Sequence, residues 1–287
     1  MSLNIYNNNK KNKSFGLYKE NGFVHLNKFL NYHDYDFIKW VESCFKLIGD
    51  FSIDSKLDLT TTLTELGKFY KDEGRWKEFN DIYVGIFQRN IDLYRLVSDP
   101  SLIEMLNLIG IQDPYLCSDP LLMLNGGEFT NILGESTHSP LHQDWASMQS
   151  SENSVVLWIP LVDVNKETTG SIKVWPKSQS YGLHPVKSEK WFAEISKNNF
   201  NDKEQKSKEI NANKGDCILF SSLLVHQSIN PKKSKSLPRL TIQLRFGDLS
   251  CDLLKTNKGV FNYNHCVPNM KPFERPQLVI PKIGWDK

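Results

Sequence analysis

The feature that most limits how this chain can fold is a change of residue pattern near position 115. Beyond that point, short apolar and β-branched runs are separated by Gly, Pro, Asn and Ser. This spacing is typical of an antiparallel β-sandwich or jelly roll. The predicted strands are residues 121–124, 128–133, 154–164, 171–175, 216–220, 223–228 and 239–247.

The earlier part of the chain has the three- and four-residue periodicity of amphipathic helices. A strand-like piece at 22–26 is followed by predicted helices over 37–48 and 76–96. A third helix is predicted to begin at Asp99-Pro100, an N-cap followed by proline, and to end at Gly110.

The domain organisation predicted from these patterns is a single domain over residues 1–287. It consists of a helical flank over about 27–112, a mainly β core over about 115–250 and a C-terminal extension over about 251–287. The polar segment 198–214 is predicted to be an exposed loop inserted between strands, because strand patterns resume on both sides.

Composition excludes several functional classes. Thirty-five Lys and Arg against 33 Asp and Glu give a net charge of +2, which offers no electrostatic reason to expect a nucleic acid or an anionic membrane as partner. Residues 1–14 lack the apolar core of a signal peptide, and no stretch approaches the roughly 18–20 apolar residues that span a bilayer. The five scattered cysteines form no CxxC pair, which disfavours a thiolate zinc site. A cytoplasmic protein with a small-molecule substrate is expected, and its oligomeric state is left open.

The residues with the clearest chemical meaning are His142 and Asp144. At alternate positions of an extended segment, their side chains point to the same face and can converge on one metal ion. Far downstream, His226 ends another strand-like run and offers a third ligand. Two histidines and a carboxylate form the facial triad of non-haem iron sites. His-x-Asp triplets are frequent by chance, so a structural role stays open on this pattern alone.

A strand with one polar and one apolar face follows His226. Its polar positions are Arg239, Thr241, Gln243 and Arg245. The opposite face is made of Leu and Ile, so it must pack against a core, and the polar row must face either water or a polar cavity. In such a cavity an arginine would bind a carboxylate through a charge-assisted pair.

Three segments together resemble the phytanoyl-CoA dioxygenase family of iron- and 2-oxoglutarate-dependent oxygenases. They begin FGLYKENGFVHL at residue 15, HQDWASMQSSEN at residue 142 and KGDCILFSSLLVHQS at residue 214. Their joint occurrence, in this order and spacing, is far more specific than any one segment. The resemblance covers most of the chain and implies a double-stranded β-helix, or jelly-roll, core.

Matched residue by residue, the resemblance implies that His142, Asp144 and His226 are the catalytic residues and the ligands of Fe(II). In this family the metal works with the cosubstrate 2-oxoglutarate and with O2, and the products include succinate and CO2. Asp144 favours hydroxylation over halogenation, because related halogenases lack the carboxylate ligand.

The resemblance also implies the residues that bind 2-oxoglutarate. Arg239 matches the arginine that binds the distal carboxylate of the cosubstrate, Ser228 matches a serine that assists it, and Trp158 matches a tryptophan near the cosubstrate. Arg245 is an alternative for the carboxylate role, although it lies further from His226 than the family usually places this residue.

Two other functions remain open at this point. A catalytically silent family member would act as a metal- or ligand-binding sensor or scaffold, which the intact His142, Asp144, His226 and Arg239 disfavour. A cupin-type metal protein that does not use 2-oxoglutarate would carry a His-x-His pair and no arginine strand.

Fold analogy cannot choose among substrate classes. The substrate expected is a small polar metabolite, such as an amino-acid or sugar derivative. Residues 176–179 read Pro-Lys-Ser-Gln where many relatives read Pro-Gly-Ser-His, which affects the expected substrate contacts more than the metal site. His138, Trp145 and His184 are either pocket-lining or ordinary structural residues.

Overall fold

The computed structural model describes residues 8–31, 36–48, 57–131, 139–148, 150–186, 194–195, 200, 206–231 and 236–256 of the chain. The α-helices are α1 Asn8–Asn21, α2 Phe37–Phe45, α3 Leu59–Asp72, α4 Trp76–Gly85, α5 Ile91–Val97, α6 Pro100–Ile109, α7 Trp145–Met148 and α8 Asp252–Thr256. The strands are β1 Phe23–Leu26, β2 Pro114–Leu116, β3 Leu121–Asn125, β4 Val155–Pro160, β5 Ser171–Val174, β6 Lys208–Ile210, β7 Cys217–Ser221, β8 His226–Ile229 and β9 Arg239–Asp248.

These strands form two antiparallel sheets. The larger sheet has the order β1-β7-β4-β9-β2, and β3 also pairs with β9. The smaller sheet has the order β6-β5-β8. At 10 residues β9 is the longest strand described, and it pairs with β4 along one edge and with β3 and β2 along the other. The fold is therefore mainly β with N-terminal helices, as predicted.

Helices cover one face of the larger sheet and the smaller sheet covers the other, so its central strand β4 is apolar on both faces. On β4, Val155, Leu157 and Ile159 pack in a cluster with residues of the helices, while Val156 and Trp158 point into a second cluster between the sheets. This second cluster marks the interior of the jelly roll. A strand buried on both faces reads as an unbroken apolar run, as β4 does.

Three local predictions are wrong. Of the predicted strand 128–133, residues 128–131 are part of a 3₁₀ helix over Gly127–Asn131, because Gly126 and Gly127 take positive φ and turn the chain at the end of β3, and residues 132 and 133 lie outside the described residues. The predicted helix over 76–96 is two helices, α4 and α5, since the side chain of Asn90 caps the second. The polar segment 198–214 contributes strand β6 to the smaller sheet.

Other local predictions are confirmed. Helix α6 is capped by Asp99, whose carboxylate accepts from the Ser101 N–H, and Gly110 ends it at a φ of 106°. Among the described residues, Cys44, Cys117, Cys217 and Cys251 are free thiols, and Cys266 lies outside them. None of the helices in the described ranges is both long and apolar enough to cross a membrane.

Asp248, at the end of β9, ties this strand to the segment that follows α6. Its carboxylate accepts from the backbone N–H groups of Gln112 and Asp113 at 3.1 and 3.0 Å and from Asn153 Nδ2 at 2.8 Å. Burial by itself would raise the pKa of this carboxyl, but these donors outweigh burial and lower the pKa from 3.8 to about 2. Because the pKa is lower in the folded state, the stabilisation is present above about pH 4 and is lost as the pH falls towards 2.

We expect Asp248→Asn to lower the free energy of unfolding by about 2 kcal/mol near neutral pH, the equivalent of this pKa change. The difference from the parent protein should shrink as the pH is lowered through 4, which urea unfolding at a series of pH values would measure. Asp72→Asn, at an exposed position in the last turn of α3, is the control and should change little. A difference that stayed constant with pH would show that the loss comes from side-chain geometry and not from the charge.

Candidate metal centre

The backbone brings His142 and His226 together from distant parts of the chain. His142 lies opposite His226 in an antiparallel bridge, with the His142 N–H donating to the His226 carbonyl at 2.9 Å and the reverse bond at 3.0 Å. The two imidazole rings are 4.1 Å apart between centroids, and the ring of Phe220 packs on His226 at 4.9 Å. The positions of both histidines are thus fixed by main-chain hydrogen bonds.

His142, Asp144 and His226 form the metal-ligand cluster found among the described residues. Each side chain offers one ligand atom, these atoms lie within 4.8 Å of one another, and all three residues are buried. Asp144 Oδ2 is 3.4 Å from His226 Nε2. Two imidazoles and a carboxylate on one side of a small space match the donor set that non-haem Fe(II) takes, with positions left for other ligands.

The hydrogen bonds of the histidines set which nitrogen faces this space. His142 Nδ1 is 2.7 Å from the carbonyl oxygen of Pro140, and His226 Nδ1 is 2.9 Å from that of Leu224. Because a carbonyl oxygen only accepts, each Nδ1 donates its hydrogen, which leaves Nε2 of each ring as the atom that can bind a metal ion. A backbone partner on the other ring nitrogen is the usual support for a metal-binding histidine.

The local electrostatics favour the protonation states that a metal requires. Burial lowers the pKa of His142 to about 4, with His226 adding to the effect, so the ring is neutral near pH 7. Burial alone would raise the pKa of Asp144, but the charge of Arg245, the neighbouring His226 and His142, and the hydrogen bond from Arg245 together outweigh burial and lower this pKa to about 2. A neutral imidazole and an ionised carboxylate are the forms that bind metal ions.

The polar face of β9 is turned to the interior of the protein and not to water. Arg239 is only 3% exposed and Arg245 7%. Arg239 Nη1 donates to the carbonyl oxygen of Ser171 at 3.2 Å, and its Cζ lies 5.9 Å from the Trp158 ring centre. Burial lowers the pKa of Arg239 to about 10, which leaves the guanidinium charged at neutral pH.

Trp158 lies on β4, which pairs with the strand of this arginine, whereas Ser228 lies on β8 of the smaller sheet. Trp158 is buried in the interior cluster of the jelly roll. Ser228 is half-buried on β8 two positions beyond His226, so the two side chains share a face of that strand. The structure thus groups Arg239 with Trp158 and Ser171 on the interior side of β9.

Arg245 lies beside the metal-ligand cluster. Its Nη2 is 3.4 Å from Asp144 Oδ1 and donates to Gln243 Oε1 at 2.6 Å. Arg245 is the second candidate from the sequence for binding the 2-oxoglutarate carboxylate, and its contact with Asp144 was not predicted. The available signal in the sequence was that Arg245 lies on the same strand face as Arg239, so both were expected to point to the same side.

Gln143 and Ser178 make hydrogen bonds to the backbone around the metal-ligand cluster, and neither residue was assigned a role from the sequence. Gln143 Nε2 donates to the carbonyls of Gly182 and Leu223, and its Oε1 accepts from the His184 N–H at 2.8 Å. Ser178 Oγ accepts from the Val225 N–H at 2.9 Å, one residue before His226. The turn at 176–179 therefore supports the distal histidine as well as lying in the region that departs from the family pattern.

The remaining candidates have structural contacts. Trp145 packs with Leu183 and Leu223, and its Nε1 donates to the Ser151 carbonyl at 3.2 Å. The His184 ring meets Phe200 edge-on at 5.2 Å. His138 lies outside the described residues.

The part of the chain that carries the metal-ligand cluster matches a known protein family. The family model described as phytanoyl-CoA dioxygenase (PhyH) matches residues 123–239. This range runs from β3 through both histidines to Arg239. No curated protein matches the chain.

Several solved structures share the fold at low sequence identity. The epimerase SnoN from nogalamycin biosynthesis, in complex with Fe3+, alpha ketoglutarate and nogalamycin RO, is 14% identical with a TM-score of 0.54, over 84% of this chain and 85% of that one. The alpha ketoglutarate dependent carbocyclase SnoK, also from nogalamycin biosynthesis, is 15% identical with a TM-score of 0.53, over 82% and 83%. EvdO2 from Micromonospora carbonacea var. aurantiaca is 10% identical with a TM-score of 0.51, over 85% and 92%.

Proposed function

We propose that this chain is an Fe(II)- and 2-oxoglutarate-dependent dioxygenase, because the family model described as phytanoyl-CoA dioxygenase (PhyH) matches residues 123–239. Its reaction is the hydroxylation of a small polar metabolite, with release of succinate and CO2. The observation that carries the proposal is the convergence of three buried ligand atoms, from His142, Asp144 and His226, within 4.8 Å of one another.

In this proposal His142, Asp144 and His226 hold Fe(II). The two Nε2 lone pairs and one carboxylate oxygen supply the donors, and the backbone carbonyls of Pro140 and Leu224 keep each ring in the required tautomer. Three protein ligands on one side leave room for a cosubstrate and O2. When bound, Fe(II) with 2-oxoglutarate and O2 supplies the oxidising power, and the protein supplies position and shielding.

Arg239 binds the distal carboxylate of 2-oxoglutarate, with Ser228 and Trp158 beside it. The guanidinium is buried and charged, and its Nε has no hydrogen-bond partner among the described residues. A buried donor without a partner costs free energy unless a ligand satisfies it. A carboxylate is the group that matches the planar donors of arginine.

Hydroxylation is proposed because Asp144 is present as the carboxylate ligand. SnoN is named an epimerase and SnoK a carbocyclase, so this fold carries other oxidative outcomes in those proteins. The burial of the metal ligands favours the exclusion of bulk water from the site. A scaffold that binds no metal would not need a complete set of three metal ligands beside the buried Arg245.

The test is an anaerobic titration of the purified protein with Fe(II) and then 2-oxoglutarate. We expect the weak visible metal-to-ligand charge-transfer band of a chelated Fe(II)–2-oxoglutarate complex, followed by succinate release when O2 and a substrate are added. A folded protein that binds Fe(II) without developing the band would contradict the use of 2-oxoglutarate. A protein that binds no Fe(II) would instead favour the silent-scaffold alternative.

A further inference from the structure

Arg245 is a buried arginine whose capacity for hydrogen bonding is only partly used. One nitrogen, Nη2, contacts Gln243 and Asp144. The other two, Nε and Nη1, have no hydrogen-bond partner within the part of the chain that the structure describes, although the side chain is 93% buried. Burying a charged group with unpaired donors costs several kcal/mol, so donors in this state point to a ligand that pairs with them.

The ionisable groups close to Arg245 include Asp144, the ring of His142 and the thiol of Cys117, whose pKa burial raises to about 11 so that it is uncharged near pH 7. Arg245 lies opposite Val156 on β4, and its carbonyl accepts from the N–H of Cys117 on the other edge of β9. Val156 belongs to the interior cluster between the two sheets. The guanidinium therefore sits on the wall of the jelly-roll interior, directly beside the residue proposed to bind the metal.

The charges around the site leave Arg245 without a full counter-charge. The other buried carboxylates among the described residues are Asp99, Asp216 and Asp248, and each has hydrogen-bond donors of its own elsewhere. Under the proposed function, Asp144 and the two carboxylates of 2-oxoglutarate are set against Fe(II), Arg239 and Arg245. Formal charges then leave one net positive charge, which a single negative charge on the substrate would neutralise.

Arg245 and Arg239 are placed to bind different ligands. They are six positions apart on one strand, which separates their Cα atoms by about 20 Å. Arg239 faces Trp158 and Ser171, whereas Arg245 faces Asp144. With Arg239 assigned to the cosubstrate, the unpaired nitrogens of Arg245 are available for the substrate.

We propose that Arg245 binds a carboxylate group of the substrate, and that the substrate is a small monocarboxylate. This inference rests on the proposed function for the presence of metal and cosubstrate. A phosphate monoester fits less well, because its dianion at neutral pH would place two negative charges next to the Asp144 carboxylate. A monoanion would pair with the guanidinium and match the single net charge of the loaded site.

The test measures binding without turnover, on the full chain loaded with Zn(II) and 2-oxoglutarate. Saturation-transfer NMR would screen a library of small monocarboxylates, each paired with its uncharged primary amide and with a phosphate of similar size. The variants are Arg245→Gln, which removes the charge, and Arg245→Lys, which keeps it. Arg89→Gln, at an exposed position of the helical flank, is the matched control.

We expect at least one carboxylate to bind the parent protein while its amide does not. Its affinity should fall by about thirty-fold or more in Arg245→Gln, recover in part in Arg245→Lys and stay unchanged in Arg89→Gln. In Arg245→Lys, which keeps the positive charge beside Asp144, the affinity for 2-oxoglutarate, measured from the Fe(II) charge-transfer band, should change less than about threefold. That band also reports whether the variant retains the folded site.

Four outcomes would overturn the proposal: no carboxylate binds the parent protein, amides or phosphates bind as well as carboxylates, binding is equal in Arg245→Gln, or 2-oxoglutarate binding is lost in Arg245→Lys. Failure of the proposed function can be distinguished from failure of this anion site. A parent protein that shows no charge-transfer band but binds carboxylates through Arg245 refutes the oxygenase and retains the anion site. A protein with the band, but with carboxylate binding indifferent to Arg245, refutes only the anion site.

Discussion

Replacing His142 by Ala is expected to remove Fe(II) binding and turnover while the fold is retained. The ring is neutral in the folded protein, because burial lowers the pKa of His142 to about 4, so its removal leaves no buried charge without a partner. The backbone bridge to His226 does not depend on the side chain and should survive the change. Loss of an outer partner of a metal ligand already costs about 10- to 100-fold in affinity, so loss of a ligand should cost at least about 100-fold.

Anaerobic Fe(II) titration followed by metal analysis would measure this loss, and circular dichroism would check the fold. Asp119→Ala, at an exposed position before β3, is the control and should bind Fe(II) like the parent protein. Asp144→Ala is a less clean variant, because it leaves the buried Arg245 without its carboxylate neighbour. Full turnover in His142→Ala would mean that the metal is bound elsewhere.

Replacing Arg239 by Ala is expected to weaken 2-oxoglutarate binding by about 30-fold to several thousand-fold. Truncating one partner of a buried charge pair costs about 2–5 kcal/mol, and Arg239 is 3% exposed. Fe(II) binding should persist, because Arg239 is not part of the metal-ligand cluster. The charge-transfer band, titrated with 2-oxoglutarate at fixed Fe(II), would measure the affinity directly.

The matched variant is Arg239→Lys, which keeps the charge but not the planar pair of donors. It should recover part of the affinity, and a recovery would show that charge contributes to binding beyond packing on Trp158. An affinity for 2-oxoglutarate that did not change in Arg239→Ala would assign the carboxylate to Arg245. In that case the substrate site inferred above would also have to be abandoned.

The strands were predictable where alternation or an unbroken apolar run is strong. The two faces of β9 could be read from the sequence, and the structure shows why: its leucines and isoleucine pack towards the helices while its polar row lines the interior. Strand β6 was missed because it has only three residues, two of them exposed and charged, at the edge of the smaller sheet. The segment after β3 was mistaken for a strand because residue preferences there are overridden by the positive φ angles of two successive glycines.

The metal-ligand cluster was predictable because each part of it has its own signal. The spacing of His142 and Asp144 predicts a shared face, and His226 was offered by a strand-like run far downstream and then matched by the family resemblance. The contact between Arg245 and Asp144 was not predictable, since it joins side chains about a hundred positions apart and depends on how β9 lies against the segment that carries Asp144. The same is true of Gln143, whose hydrogen bonds reach two separate loops.

The pairing of β9 along both edges has a consequence for attempts to alter this protein. Its register is fixed by β4 on one side and by β3 and β2 on the other. An inserted or deleted residue between Arg239 and Arg245 would turn one of the two arginines towards the helical layer, since side chains alternate along a strand. Libraries that vary chain length should therefore leave residues 239–248 intact and place their changes on segments that face this strand across the interior. β9 therefore keeps Arg239 and Arg245 at a fixed separation, and redesign has to change the segments that face this strand.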